Sequence, residues 1–458
     1  MVFSSLVFLY AFLPVSMVLY FMIPGIKAKN VILLLFSLLF YAWGEPVYIF
    51  LMLYSILFNY LLGRLMESEP EHKKQTLVFA VFLNLLVLGF FKYYGFVVTT
   101  INDLFHTTIP VRELPLPIGI SFYTFQALSY IIDLYRGKFK AQRNLIRFAL
   151  YITMYFQLIA GPIVRYEDVE KQLDEREISM TRLGKGMGRF VLGLGKKVLI
   201  ANMMGELFRR VTDMNSGITT AAAWLGILAY TLQIYFDFSA YSDMAIGLGH
   251  ACGFDFPENF NQPYLSKNIT DFWRRWHISL GTWFREYVYI PLGGNRVKPF
   301  RHILNIMIVW FLTGLWHGAS WNFVIWGLYY GVLLIFEKYV MKKPLPGPLK
   351  YIYTMFFVMI GWTLFSAGNL SEAVFMLQAM FGFAPGGAAN TEALYLLCTY
   401  AAWIAAGIIL VLPCGMKFRD WLLKGSKTAL CLATLAILVL STAFLVTQNY
   451  NPFLYFRF

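Results

Sequence analysis

The chain is poor in charge. Asp, Glu, Lys and Arg make up only 14% of its 458 residues, whereas soluble domains carry about 25%. The deficit extends along the whole length, and no soluble domain of ordinary size separates the apolar segments. This excludes a soluble enzyme with a single anchor and predicts an all-α, polytopic membrane protein.

Cysteine is also scarce. The four cysteines form no Cys-x-x-Cys pair, so neither a disulfide framework nor a zinc site has support. We expect no metal and no permanently bound cofactor. The net charge of +13 comes mostly from residues in short loops, where it biases membrane topology and does not indicate nucleic-acid binding. No positively charged stretch precedes the first apolar run, which favours a transmembrane helix over a cleaved signal peptide.

Apolar segments long enough to cross a bilayer, which takes about 20 residues, recur along the chain. They lie near 4–23, 30–43, 47–63, 77–97, 115–135, 221–249, 302–316, 321–341, 349–366, 394–413 and 428–447, with ambiguous stretches at 146–163 and 189–206. We expect roughly eleven or twelve crossings, some of them short or re-entrant. Basic loops follow the first, third and fifth segments, which predicts an N-terminus on the extracytoplasmic side of the membrane.

We predict one integral membrane domain over 1–458, with N-terminal helices in 1–145, a core in 146–345 and C-terminal helices in 346–458. The most polar stretch, 164–185, is typical of an amphipathic surface helix.

Residues 254–296 are unusual for a membrane protein because aromatic, arginine and amide side chains alternate there without one period. Thr270 and Asp271 suit the N-cap of a helix over 272–280. Pro291 is expected to end the regular secondary structure before it. Exposure of such a stretch to lipid would be costly, so it must be buried in protein or line a wet cavity.

The side chains of this stretch offer ligand contacts. Arg274 and Arg275 could receive phosphates, and Trp273 and Trp276 could stack on an adenine ring or contact a sugar. An interfacial aromatic belt with arginines reaching for water is the alternative.

His317 is the strongest candidate for chemistry. It interrupts an apolar stretch, with no charged side chain within several residues, and an ionisable ring at that depth needs partners or a function. Small neighbours allow a ligand or a helix to approach closely, Trp316 could form a wall, and Asn322 could hold a ring nitrogen or a carbonyl oxygen. A hydrogen-bonded histidine between packed helices is the alternative.

His277 and Asp237 are further candidates. His277 follows two arginines, which disfavours its cationic form, and a bond to a backbone carbonyl is the alternative to a site role. Asp237 and Asp243 lie in an apolar run and need partners, for which the arginines of 274–296 are the obvious choice. We interpret Asp243 as part of a packing ion pair and leave Asp237 open.

Eight blocks, in order along nearly the whole chain, resemble the membrane-bound O-acyltransferase family, and within it the bacterial branch that acetylates alginate. They are Pro117–Gln126, Ala160–Ile163, Tyr235–Asp243, Asn259–Tyr264, Phe272–Leu280, Tyr289–Gly294, Gly314–Ala319 and Phe453–Phe458. The order and number of these blocks make the resemblance specific.

The resemblance implies an O-acetyltransferase of a bacterial cell membrane. It implies that His317 is the catalytic histidine, His277 the second site histidine, and that a funnel joins a cytosolic donor, acetyl-CoA, to an external polysaccharide. It also implies an extracytoplasmic partner protein that completes the transfer. Transfer of D-alanine to a cell-wall polymer, a proton-coupled transporter and a scaffold for polysaccharide export are the alternatives.

Overall fold

The computed structural model describes residues 2–112, 114–415, 417, 421, 427–447 and 451. Within these ranges every regular element is helical, which confirms the all-α architecture. The helices are α1 (Leu13–Met22), α2 (Ile26–Gly44), α3 (Ile49–Ser68), α4 (Lys73–Phe105), α5 (Ile120–Tyr135), α6 (Leu145–Thr153), α7 (Tyr166–Asp174), α8 (Met180–Gly195), α9 (Asn202–Thr212), α10 (Thr220–Ala251), α11 (Ile269–Arg275), α12 (Ile278–Phe284), α13 (Pro299–His317), α14 (Trp321–Phe336), α15 (Leu349–Ser366), α16 (Leu370–Gln378), α17 (Thr391–Val411) and α18 (Lys427–Thr447).

Eight helical segments in the described ranges are long and apolar enough to cross a membrane. They are Ile26–Gly44, Ile49–Ser68, Pro70–Phe105, Thr220–Ala251, Trp321–Met341, Leu349–Ser366, Thr391–Val411 and Thr428–Thr447. The other three expected segments also fall largely on helices, namely α1, α5 and α13. The chain is therefore a multi-pass membrane protein. The orientation of its N-terminus stays a prediction, and the terminal block 453–458 lies outside the described residues.

Two local predictions differ from the structure in extent. The polar stretch 164–185 contains the predicted amphipathic helix only over Tyr166–Asp174, where Tyr166, Val169 and Leu173 are buried, and it becomes helical again from Met180. The helix predicted over 272–280 is broken, since α11 ends at Arg275 and α12 begins at Ile278. The N-cap of α11 is Asn268, whose side chain accepts a hydrogen bond from the backbone N–H of Asp271.

The chain forms two compact units, and the division into 1–145, 146–345 and 346–458 stays a prediction. The first unit contains residues 1–187 and 245–257. Helix α5 is buried along nearly its whole length in this unit. Asn59 of α3 and Asn84 of α4 exchange amide hydrogen bonds of 3.1 and 2.9 Å, which satisfies both buried side chains in an apolar setting.

The second unit contains residues 188–244 and 258–458. Helices α13 and α14 pack closely against each other in this unit. A Cβ atom on Gly314 would lie 2.4 Å from the carbonyl oxygen of Phe323, and one on Gly327 would lie 2.2 Å from that of Trp310. The two backbones therefore touch where side chains would otherwise separate them, as the small residues around His317 predicted.

We expect Gly314→Ala to destabilise the folded protein by about 1–3 kcal/mol, the range for an overpacked interior, because the new methyl group meets a backbone carbonyl. Thermal unfolding in detergent measures this as a lower Tm. Gly89→Ala is the matched control, since Gly89 is also helical but no atom beyond its chain neighbours and its own helix backbone lies within 4 Å of the place that a Cβ on it would occupy. Equal melting temperatures for the two variants would contradict the close contact.

Candidate functional site

His317 is the last residue of α13 and is buried, with 8% of its surface exposed. The chain leaves the helix at Gly318, where a Cβ would lie 2.2 Å from the ring of Phe323, and α14 begins three residues later at Trp321. The imidazole is enclosed by aromatic rings. Its centroid lies 5.0 Å from Trp316, 5.0 Å from Trp326 and 5.3 Å from Phe365.

His277 occupies the break between α11 and α12. Its backbone adopts the left-handed conformation, with φ +46°, which is uncommon for a residue other than glycine and often marks a functional position. The ring is buried and lies 4.7 Å from Phe238 and 5.9 Å from Trp316. His277 is outside the eight candidate spans, and burial lowers its pKa to about 3, so the imidazole is neutral at physiological pH.

The two predicted site histidines are brought together. Their ring centroids are 6.5 Å apart, and the ring of Trp316 lies close to both. They reach this position from different helices, α13 and the α11–α12 junction, so the pairing is a property of the fold and not of local spacing.

A cluster of aromatic side chains extends from the histidines. Trp273 contacts Trp310 at 4.7 Å, Tyr330 at 4.8 Å and Trp326 at 5.6 Å between ring centroids. The indole N–H groups of Trp273 and Trp326 are buried and have no hydrogen-bond acceptor in the described part of the chain. These unpaired donors are suited to a ligand oxygen.

The remaining predicted contact residues are distributed differently. Trp276 is buried 4.9 Å from Trp362. Arg274 is exposed, whereas Arg275 donates to Asp271 at 2.8 Å. Asn322 is fully buried, and its amide nitrogen donates to the carbonyls of Leu364 and Ala367. Since its two amide hydrogens are thereby used, Asn322 fixes the packing of α14 against the end of α15 and has no donor left for an oxyanion.

The predicted partners of the acidic residues were wrong. Asp237 pairs with Lys197 at 2.7 Å, and both side chains are almost fully buried. Asp243 pairs with Lys196 at 2.5 Å and with Arg189 at 2.8 Å, which confirms its interpretation as a packing ion pair. The cations come from 189–197 and not from 274–296, because the helical run that contains α8 and α9 packs against α10 in this region.

Two buried polar residues that contact α11 or His277 were not among the predicted site residues. Asn259 is fully buried and its amide oxygen lies 3.1 Å from Nδ1 of His277. Glu337 is buried beyond α14, and its carboxylate accepts from the backbone N–H groups of Ile269 and Thr270 at 2.6 and 2.8 Å and from the Thr270 hydroxyl at 2.6 Å. It thus satisfies the free N–H groups at the start of α11. Neither role could be predicted from the sequence, because each depends on tertiary contacts between separate segments of the chain.

No group of three or more metal-binding side chains occurs within the residues that the structure describes. The expectation of a metal-free site stays a prediction.

Comparison with known proteins places these features in one family. Residues 141–367, which include both histidines, match the model of the MBOAT, membrane-bound O-acyltransferase, family. The chain is 44% identical over 393 residues to the "Probable alginate O-acetylase AlgI" of Pseudomonas aeruginosa, covering 84% of this chain and 75% of that protein. It is 38% identical to the protein of the same description from Azotobacter vinelandii, with both chains fully covered.

A third relative, the peptidoglycan O-acetyltransferase of Helicobacter pylori, is 35% identical over 83% of this chain and 80% of its own length. The chain belongs to the membrane-bound O-acyltransferase family, and it is an O-acyltransferase.

We expect Glu337→Gln to lower the stability of the protein by about 1–3 kcal/mol, because a neutral amide replaces charge-assisted bonds to three donors at the start of α11. The measurement is thermal unfolding in detergent. Glu372→Gln is the control, since Glu372 also accepts from a backbone N–H near a helix start but is exposed. If both variants melt at the wild-type temperature, the carboxylate does not hold α11.

Proposed function

We propose that this chain transfers an acetyl group from acetyl-CoA on the cytosolic side of a bacterial cell membrane towards an extracytoplasmic polysaccharide. His317 is the general base and His277 the second histidine of the site. The observation that carries the proposal is the pair of buried imidazoles, 6.5 Å apart, in an aromatic enclosure with unpaired N–H groups. The relatives, a probable alginate O-acetylase and a peptidoglycan O-acetyltransferase, support acetyl as the acyl group and a polysaccharide as the acceptor.

The chemistry begins with a hydroxyl group of the acceptor near His317. His317 takes the hydroxyl proton as the oxygen attacks the carbonyl carbon of the thioester, which needs hydrogen-bond reach between base and hydroxyl. The carbonyl oxygen gains negative charge in this step. The indole N–H groups of Trp273 and Trp326, left unpaired by the protein, are the donors that stabilise this charge.

The tetrahedral intermediate then collapses. The carbon–sulfur bond breaks, the acetyl ester remains on the acceptor oxygen, and the leaving thiolate receives the proton from the His317 imidazolium. The aromatic enclosure excludes bulk water, which strengthens the hydrogen bonds to the developing charge and protects the thioester from hydrolysis.

The donor and acceptor approach from opposite sides in this proposal. Arg274 is exposed near the α11–α12 junction and is available to a phosphate of the donor, whereas Arg275 is engaged by Asp271. A funnel through the membrane joins the two sides, and an extracytoplasmic partner protein completes the transfer to the polymer.

We expect His317→Ala to insert and fold normally but to lower acetyl transfer by at least about 100-fold, the scale of a lost general base. The measurement is base-labile acetate on the cell-surface polysaccharide of a deletion strain that expresses each variant at equal membrane levels. A parallel measurement with the reconstituted protein follows thiol release from acetyl-CoA.

His302→Gln is the matched control. His302 is another buried histidine of α13, but its ring nitrogens each lie 2.8 Å from a tyrosine hydroxyl, of Tyr289 and Tyr339. We expect this variant to retain acetyl transfer. Wild-type ester content in His317→Ala would refute the catalytic role, and pH-driven flux in liposomes without thioester consumption would favour a transporter.

A further inference from the structure

We propose that Asn259 is a positioning residue that holds His277 in the tautomer with its hydrogen on Nδ1, so that Nε2 is a hydrogen-bond acceptor for substrate. This inference rests on the proposed function and deepens it, because it assigns a specific task to the second histidine. The substrate group it receives is an O–H or N–H donor.

The hydrogen bonds of Asn259 fix the direction of its amide group. The backbone N–H and the hydroxyl of Ser279 lie 3.3 and 2.9 Å from the oxygen Oδ1, and the nitrogen Nδ2 donates to the Ser242 hydroxyl at 3.2 Å. A backbone N–H can only donate, so the atom that faces Ser279 is the oxygen.

This orientation determines the tautomer of His277. Oδ1 of Asn259 also lies 3.1 Å from Nδ1 of His277, and an amide oxygen has no hydrogen to give. Nδ1 must therefore carry the hydrogen. A neutral imidazole has only one N–H group, so Nε2 is left with a lone pair.

Nε2 of His277 is buried and has no hydrogen-bond partner among the residues described. The facing ring of His317 is too far away for a direct bond. With centroids 6.5 Å apart and each nitrogen about 1 Å from its centroid, the nitrogens approach to about 4.5 Å at best, beyond hydrogen-bond distance. A donor atom of a ligand or of a water molecule would satisfy Nε2 of His277.

The assignment restricts what His277 can do. Its single N–H is used by Asn259, so the neutral ring cannot donate to the oxyanion of the tetrahedral intermediate. It can orient a hydroxyl of the acyl acceptor or an amide N–H of the acyl donor while His317 takes the reacting proton. The backbone at φ +46° and the bond to Asn259 together fix the direction of this acceptor.

The ionic surroundings of His277 matter for its response to pH. His317 is the titratable group across the enclosure. Several charged side chains on the neighbouring segments are held in ion pairs, whereas Arg274 and Lys267 are exposed. The pairs are Lys197–Asp237, Lys196–Asp243, Arg189–Asp243, Arg189–Glu258 and Arg275–Asp271. No carboxylate of the described residues pairs with the His277 ring, so one placed at position 259 should change its titration.

The tautomer can be observed directly by ¹⁵N NMR of the full chain, labelled at histidine and reconstituted in lipid nanodiscs. Loss of a signal in His277→Gln assigns the ring. We expect a protonated Nδ1 and an unprotonated Nε2 in the wild type and in Ser242→Ala, which leaves Oδ1 of Asn259 in place. We expect Asn259→Ala to lose this fixed tautomer.

A wild-type spectrum with the hydrogen on Nε2 overturns the proposal, even if no variant folds. So does an unchanged tautomer in Asn259→Ala. Neither readout requires acyl transfer, so a failure here is distinguishable from a failure of the proposed function.

Activity gives a second test, with thiol release from acetyl-CoA and alginate oligosaccharide as the acceptor probe. We expect Asn259→Ala to lower the rate of acetyl transfer by about 10- to 100-fold, the scale seen when a group that orients a histidine ligand is removed. Asn259→Asp should retain activity near neutral pH but lose it at acidic pH where the wild type is still active. The carboxylate raises the pKa of His277, and protonation at Nε2 removes the acceptor.

A purely structural role predicts an equal loss at every pH, so an unchanged pH profile in folded Asn259→Asp overturns the proposal. The Michaelis constants of Asn259→Ala show which substrate donates the hydrogen bond to Nε2 of His277. A higher KM for the oligosaccharide identifies an acceptor hydroxyl, and a higher KM for acetyl-CoA identifies an amide of the donor. If neither KM nor kcat changes, Asn259 does not position His277.

Discussion

The direct contact between the backbones of α13 and α14 is the constraint on which the site depends. Without a hydrophobic force between helices in lipid, such pairs are held by close van der Waals packing, and Gly314 and Gly327 remove the side chains that would prevent it. The contact places the end of α13 beside Trp326 of α14. The position of His317 therefore follows from the two glycines, which bring the helices together, and its ring is enclosed by large aromatic side chains.

A second element, the broken helix between α11 and α12, presents His277 to the same enclosure. Glu337 holds the start of α11 and Asn259 holds the ring, so two buried polar groups from outside these helices determine where the second histidine lies. The ring of His277 and the start of the helix before it are thus held by hydrogen bonds from segments outside these two helices.

The sequence was informative where a single segment shows the feature, such as charged or ionisable side chains that are costly to place in a membrane. Charge depletion and long apolar runs predicted the membrane architecture, and an isolated histidine among small and aromatic residues predicted the buried position of His317. The break at His277 was missed because the polar and aromatic residues of 272–280 fit a helix as well as a turn. The partner of Asp237 and the role of Asn259 were missed because both depend on tertiary contacts between segments that are distant in sequence.

The ion pair between Lys197 and Asp237 has a consequence for how the protein is made. A lone charge at the centre of a membrane helix costs about 2.5–3.5 kcal/mol during insertion, and Asp237 lies in the candidate span Thr220–Ala251. Lys197 precedes it in the chain, so the cation is already synthesised when the acidic helix leaves the ribosome. The segment that carries Lys197 can therefore pair with Asp237 while the acidic helix is inserted. The same ion pair then stabilises the packing of the folded protein.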